Sequence, residues 1–409
     1  MSPVTLAARD AELLVLCARQ QLSDDLKDRV TRLLPEPLDW TATVDNARRH
    51  GIGPLLFDHL QLLNKPNGSV PPAVLHRLRQ TYVRATFRAQ VHFSAISQVL
   101  ARFADAHVPV ILLKGAALAS RIYRDPALRP FADIDLLVRQ TDIDRAKQIL
   151  AATGFELSPE LLSEALNRKY HVNLPFVRRA PVPVHIELHW RLTDSFTTAQ
   201  FQEDEIFAES RQVEVVGARA AILDPADEFV YLAAHLDNHG YLNRSIVASD
   251  ERRFFVLHDL SGNRLIWLTD LHELIEQGVD WCRILARANQ VGASGALAVS
   301  LRMVRSLFAT PLDLSILRDL PLPEQSWTKR KLAQYVFSLA DTAPAPTVER
   351  FRRRFLVTRK SFELRLIRLV DLRPNAFTGG LVGVLRCGWM IFEFLWRRAL
   401  RTIQARSSA

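Results

Sequence analysis

Hydrophobic residues recur along this chain in two rhythms. Over the first hundred residues, and again from about residue 225 to residue 339, apolar positions return at the spacing of helices with one buried face. Between these stretches the rhythm shortens to a period of two, which belongs to strands. Residues 11–18 and 55–63 read as helices, and residues 74–103 as one long helix or two, entered through a loop at Asn67-Gly68 and Pro71-Pro72. Ala85, Phe87, Ala89, Phe93, Ile96, Val99, Leu100 and Phe103 give that stretch an apolar side, expected to pack on the sheet that follows.

The sheet itself is read from three runs. Residues 108–113 are apolar and stop at Lys114-Gly115, after which residues 116–123 hold strong helix formers whose first exposed amides suit an anion. Residues 131–138, Phe-Ala-Asp-Ile-Asp-Leu-Leu-Val, form the second run, with Asp133 and Asp135 alternating with apolar neighbours. Thr141-Asp142-Ile143-Asp144 has the spacing of a capping box that opens a helix through Leu150, ended by Gly154. Residues 170–177, 178–181 and 182–190 read as strand, turn and strand, with His185, Glu187 and His189 on one face of the last. This order suits a small mixed sheet with helices on one face. The fold class expected is α+β: a small mixed β-sheet core flanked by N-terminal and C-terminal helical regions, mainly helical overall. The expected divisions are 1–104, 105–216, 217–345 and 346–409.

Within the later helical stretch, residues 227–235 and 265–276 read as helices around a polar excursion at residues 243–264. Asp39-Trp40 with Ala47 and Gly51 is echoed by Asp280-Trp281 with Ala288 and Gly292 at identical spacing, which two matching helical hairpins or chance would both explain.

Charge changes the picture at one end. The chain of 409 residues carries a formal net charge of +9, yet residues 350–409 hold 14 Lys/Arg against 3 Asp/Glu. The body before them is therefore slightly negative, and basicity belongs to the tail. Runs such as Arg350-Phe-Arg-Arg-Arg-Phe355 suit an anionic membrane surface or nucleic acid, or a helix docked on the body with its arginines in water. Residues 381–400 are too interrupted by charge to span a bilayer. Three cysteines without a CxxC pair argue against a disulfide framework and a cysteine zinc site, and fit a reducing cytoplasm. The N-terminus has no basic segment followed by an apolar core, so export is not expected.

Two carboxylates on one face of a buried strand repel each other and lose hydration, so something positive should sit between them. A divalent metal is the simplest answer, and Glu187 offers a third acid from another strand. His235 and His239 stand at i, i+4 spacing with Asp237 between them, half a zinc site lacking its third ligand. There is no G-x-S-x-G elbow, P-loop or G-x-G-x-x-G.

The ordered set Leu113-Lys114-Gly115-Ala116-Ala117, Tyr123, Arg129, Asp133-Ile134-Asp135-Leu136-Leu137-Val138, Gly154-Phe155 and Glu187-Leu188-His189-Trp190 resembles the bacterial uncharacterised nucleotidyltransferases, within the DNA polymerase beta-like superfamily. A weaker continuation runs from Arg264 through Trp267 to Asp270, so the resemblance covers roughly residues 108–270. It implies that Asp133, Asp135 and Glu187 are catalytic and hold magnesium, two ions, with Glu187 helping to deprotonate the nucleophile. It also implies that Lys114, Gly115 and Ala116 cradle the triphosphate and that Arg129 braces a phosphate; the alternative for Arg129 is an ion pair with Asp125 or with the strand acids themselves. Tyr123, His189, His235 and Asp270 take supporting roles, His235 and Asp270 on the acceptor side of the cleft. Ala116 stands where the superfamily usually has serine, which removes one phosphate donor.

The implied activity is transfer of a nucleoside monophosphate from an NTP to a hydroxyl or phosphate of an acceptor: a small molecule, sugar or peptide. A toxin-like enzyme acting on tRNA 3′ ends is the alternative that keeps the fold, and the near-neutral body weighs against it. A non-catalytic nucleotide-binding accessory protein is the third reading, and Ala116 is its best support.

Overall fold

The runs with a period of two become the middle of a seven-stranded mixed sheet ordered β3-β4-β5-β2-β1-β7-β6. The strands are β1 (Val110–Leu113), β2 (Asp133–Val138), β3 (Glu156–Leu157), β4 (Asn173–Arg178), β5 (Val184–His189), β6 (Arg211–Val215) and β7 (Ala218–Ile222). The computed structural model describes residues 8–64, 68–158, 172–180, 182–193, 199–238, 246–249, 254–257 and 264–318, together with Glu164, Arg168 and Leu320. Glu164 and Arg168 apart, these belong to one unit that takes in residues 1–158 and 170–344. The basic tail and His239 lie outside the described residues.

Register decides what the sheet presents. β2 runs antiparallel to β1 and parallel to β5, which pairs Leu113 with Asp135 and Asp135 with Glu187. Directly paired residues share a face, so Asp133, Asp135, Glu187 and His189 project together. Ile134, Leu136, Ile186 and Leu188 point the other way and are buried. On the acidic face, Ile206 and Tyr231 close over Ile111, Leu113 and Leu137. These come from helices α8 (Glu203–Glu209) and α9 (Pro225–Asn238), which follow α6 (Lys114–Arg121) and α7 (Ile143–Ala152) in the chain.

The first hundred residues fold into α1 (Ala8–Cys17), α2 (Asp24–Leu33), α3 (Trp40–Arg49), α4 (Gly53–Leu63) and the single long α5 (Pro72–Asp105). α5 packs along β5 and β7 with the expected apolar side, except that Phe87 is 56% exposed. After the sheet come a two-stranded hairpin, β8 (Ile246–Ser249) with β9 (Phe254–Leu257), inside the polar excursion, and then α10 (Leu265–Glu276), α11 (Trp281–Gln290), α12 (Ser294–Phe308) and α13 (Leu314–Arg318). The helices on either side of the sheet are not independent. Leu13, Leu55, Leu56 and Leu60 share one apolar core with Phe229, Leu271, Leu297 and Leu301. A fully buried leucine contributes roughly 1.5–3 kcal/mol relative to an exposed one, so this shared core anchors a sheet whose acidic face costs stability.

The sequence echo is structural. Asp39 caps α3 by accepting from the Ala42 amide, and Asp280 caps α11 by accepting from the Arg283 amide. Each helix ends at a glycine with φ +73°, Gly51 and Gly292. In each case the next amide reaches back across the turn, Ile52 to the Ala47 carbonyl at 2.9 Å and Ala293 to the Ala288 carbonyl at 2.7 Å. That is the Schellman ending, which needs a left-handed residue where glycine stands. α4 and α12 then start at corresponding positions.

Two expectations need correction. The capping box at Thr141 does not form: Asp142 precedes α7 without a side-chain cap, after a 3-10 turn over Gln140–Asp142. A tertiary contact holds that turn instead, the Gln140 amide donating to Glu203 at 2.8 Å. The sheet is also wider than the three runs suggest, because β7 adds parallel to β1 and brings β6 with it through a turn at Val216-Gly217.

Candidate active site

β1 ends at Leu113, and the chain turns sharply into α6. Lys114 adopts φ +42°, a conformation uncommon for a residue with a side chain. The turn aims its ammonium back along the sheet, where Nζ lies 3.0 Å from Oδ1 of Asp135. His189, two residues beyond Glu187 on β5, brings Nε2 to 2.9 Å from the same oxygen and 3.3 Å from Oε2 of Glu187. Asn173, across the hairpin from His189, donates to Glu187 at 2.6 Å. Asp133 lies one strand step from Asp135 on the same face.

Lys114, Asp133, Asp135 and Glu187 line a cavity of about 460 Å³, within the range of small-molecule sites. Its walls include Lys114, Gly115, Arg129, Asp133, Asp135, Glu187, His235, Arg264 and Trp267. Ala116 is buried and does not line it. Gly115 is required for packing as well as approach. A Cβ there would sit 2.8 Å from Cβ of Phe131 and 2.9 Å from Nη1 of Arg129.

The electrostatics show a surplus of negative charge. Burial, then Asp135 and Glu187, push the Asp133 carboxyl up to about 6. Burial also opposes the charge on Asp135, but Lys114 and the His189 hydrogen bond outweigh it and hold its carboxyl far below the usual range. Burial likewise disfavours the Lys114 ammonium, and Asp135, Tyr231 and Glu187 overcome that, keeping it charged. His189 is raised because its hydrogen bonds to Asp135 and Glu187 outweigh burial. Three carboxylates thus share one buried lysine and the His189 ring.

A cation fits this arrangement. Ligand atoms of Asp135, Glu187 and His189 all lie within 4.8 Å of one another, so one metal ion could reach all three. Lys114 stands in for such an ion on Asp135. Asp133 is outside that tight group but opens into the same cavity.

The family model described as "Uncharacterised nucleotidyltransferase" matches residues 36–309, more than half of the chain. The chain belongs to this nucleotidyltransferase family. No protein of curated function matches it. Among solved structures, an antigenic nucleotidyltransferase-like protein from Paracoccidioides brasiliensis is similar at 16% identity over 56% of this chain and 97% of that one, with a TM-score of 0.33. A likeness that low carries no argument about this chain.

The other expected site residues divide into two groups. His235 does reach the cavity, where its ring meets Trp267 edge to face at 5.0 Å. Asp270 does not line it. Instead it receives Arg129 through two hydrogen bonds, 3.1 Å from Nε and 2.6 Å from Nη2, and the Tyr123 hydroxyl at 2.8 Å. Tyr123 is buried, closes this triad and does not line the cavity, so it is not placed to stack on a base there. Arg129 therefore forms the ion pair, with a partner 141 residues away, while its Nη1 faces Gly115.

Two residues that contact the charged cluster, Tyr231 and Asn173, and two that line the cavity, Arg264 and Trp267, were not singled out as site residues from the sequence. Tyr231 stands one helical turn before His235, with Lys114 5.7 Å from its ring centre. Asn173 opens the strand facing His189. Arg264 and Trp267 lie in the weaker continuation of the family pattern, which was the signal available for them.

No helix among the described residues is long and apolar enough to cross a membrane.

Proposed function

We propose that the protein is a metal-dependent nucleotidyltransferase of the DNA polymerase beta-like kind. It moves a nucleoside monophosphate from an NTP to a hydroxyl or phosphate of a small-molecule, sugar or peptide acceptor, releasing pyrophosphate. The observation that carries this reading is the register that places Asp133, Asp135 and Glu187 in one cavity with Lys114. Asp133, Asp135 and Glu187 would hold magnesium, two ions, because carboxylate oxygens suit a hard cation. Such ions neutralise charge on the transferred phosphate and favour in-line attack.

The chain's own groups supply the rest. His189 and Asn173 orient the carboxylates of Asp135 and Glu187, so that the cluster is rigid before substrate arrives. Glu187, at the more open edge of the group, takes the proton of the attacking hydroxyl. Lys114 leaves Asp135 and turns its charge to the triphosphate. Arg129, fixed by Asp270, offers Nη1 beside Gly115.

Incubation with labelled NTPs and fractionated cell extract tests this. Wild type should transfer label and release pyrophosphate, and Asp135→Asn should lower both by about a hundredfold while still folding to a cooperative unit. Equal loss of fold and activity would favour a structural role for the acids. Label entering RNA would move the acceptor to tRNA ends.

A further inference from the structure

The wall of the cavity contributed by α10 has chemistry that the acids, Lys114 and Arg129 leave unused. Arg264 and Trp267 stand three residues apart at the start of that helix, one turn along the same side. Both line the cavity, as does His235 of α9, whose ring meets the indole edge to face at 5.0 Å between ring centres. A continuous run of contacts leads there from the acidic cluster: Lys114 lies over Tyr231, Tyr231 meets His235 at 6.1 Å between ring centres, and His235 meets Trp267. Arg264 and Asp133 both line this cavity. Cation, aromatic plane and carboxylates therefore share one space of about 460 Å³.

We propose that this wall is the nucleoside subsite: a planar nucleobase stacks on Trp267 while Arg264 takes a non-bridging phosphate oxygen of the same nucleotide. The inference rests on the nucleotidyltransferase reading and adds the direction in which the donor lies. Its phosphates run toward Lys114 and Arg264, and its base lies against α10. An indole face accepts any base, because every base has a π-face. An arginine at the cavity edge is suited to phosphate through its fixed fork of donors. His235 positions the indole by packing against it.

The test compares two ligands that differ only in the part Trp267 should hold. Each of the four NTPs, and inorganic tripolyphosphate, is titrated calorimetrically with magnesium into wild type, Trp267→Ala, Trp267→Phe and Arg264→Ala, with melting temperature as the folding control. Trp267→Ala should weaken NTP binding by about tenfold and leave tripolyphosphate unchanged, and Trp267→Phe should restore most of the loss. Arg264→Ala should weaken both ligands by similar factors. The subsite is overturned if Trp267→Ala binds NTPs as wild type does, or if it loses NTP and tripolyphosphate equally. It is also overturned, with the nucleotidyltransferase reading intact, if wild type binds an NTP no more tightly than tripolyphosphate. A folded wild type that binds neither ligand overturns both.

Discussion

Two buried charge clusters lie a few residues apart in this molecule, and they are balanced differently. Arg129 and Asp270 are matched one to one, with a bidentate pair and the Tyr123 hydroxyl satisfying the remaining acceptor. Around Lys114, one ammonium and the His189 ring serve three acids: both reach Asp135, His189 also reaches Glu187, and Asp133 shares their neighbourhood. Asp135 and Asp270 are both buried, so burial of the central acid does not separate the clusters. The difference is stoichiometry: the first cluster is complete as folded, and the second is complete only with more positive charge. A closed pair reads as architecture, and a cluster with surplus carboxylates reads as a cation site.

Breaking the matched pair should have the largest effect on stability. Asp270→Asn leaves the Arg129 guanidinium buried without its counter-charge, which costs about 3–5 kcal/mol in urea unfolding of the metal-free protein. A loss below about 1 kcal/mol would mean the pair behaves as if exposed.

Removing one acid from the crowded cluster should do the opposite. Asp133→Asn should stabilise the protein in EDTA at neutral pH by roughly 1–3 kcal/mol. The sign follows from the raised carboxyl: from its ordinary 3.8 up to about 6 the folded form holds a proton that the unfolded chain has released. Wild-type stability from this group is therefore present at low pH and lost as pH rises through that window. The difference between wild type and Asp133→Asn should grow from pH 4 to pH 6 and then level. A flat difference would show that Asp133 is not crowded by its neighbours.

The smallest effect tests the geometry of the matched pair. Arg129→Lys keeps the charge but cannot make the two parallel bonds to Asp270, and should cost about 1–2 kcal/mol. No change in unfolding would mean that charge alone holds Asp270.

The contrast between the clusters also shows what could be read from the sequence. Period-two alternation in residues 131–138 and 184–190 placed the acids on one strand face, and the parallel register of β2 and β5 bears that out. The long α5, the β4–β5 hairpin and α10 follow from local pattern in the same way. The paired α3 and α11 units were visible because their caps and terminal glycines are local signals. Partners distant in sequence were not visible. Nothing near Arg129 announces Asp270, and nothing in residues 211–222 says that β7 will add to β1. The capping box at Thr141 shows the converse, a correct local signal overridden when Glu203 takes the Gln140 amide. Hydrogen bonds and register set at long range decide such cases, and periodicity does not contain them.

The surplus of carboxylates around Lys114 is the centre of this account, and calorimetry of NTP binding tests it most directly. Titrations with and without magnesium should be run on wild type and on the double variant Asp133→Asn/Asp135→Asn. Wild type should bind an NTP only when magnesium is present, and the folded double variant should not bind it at all. Binding by wild type that ignores magnesium, or binding that survives in the double variant, would contradict the assignment of these acids to a metal.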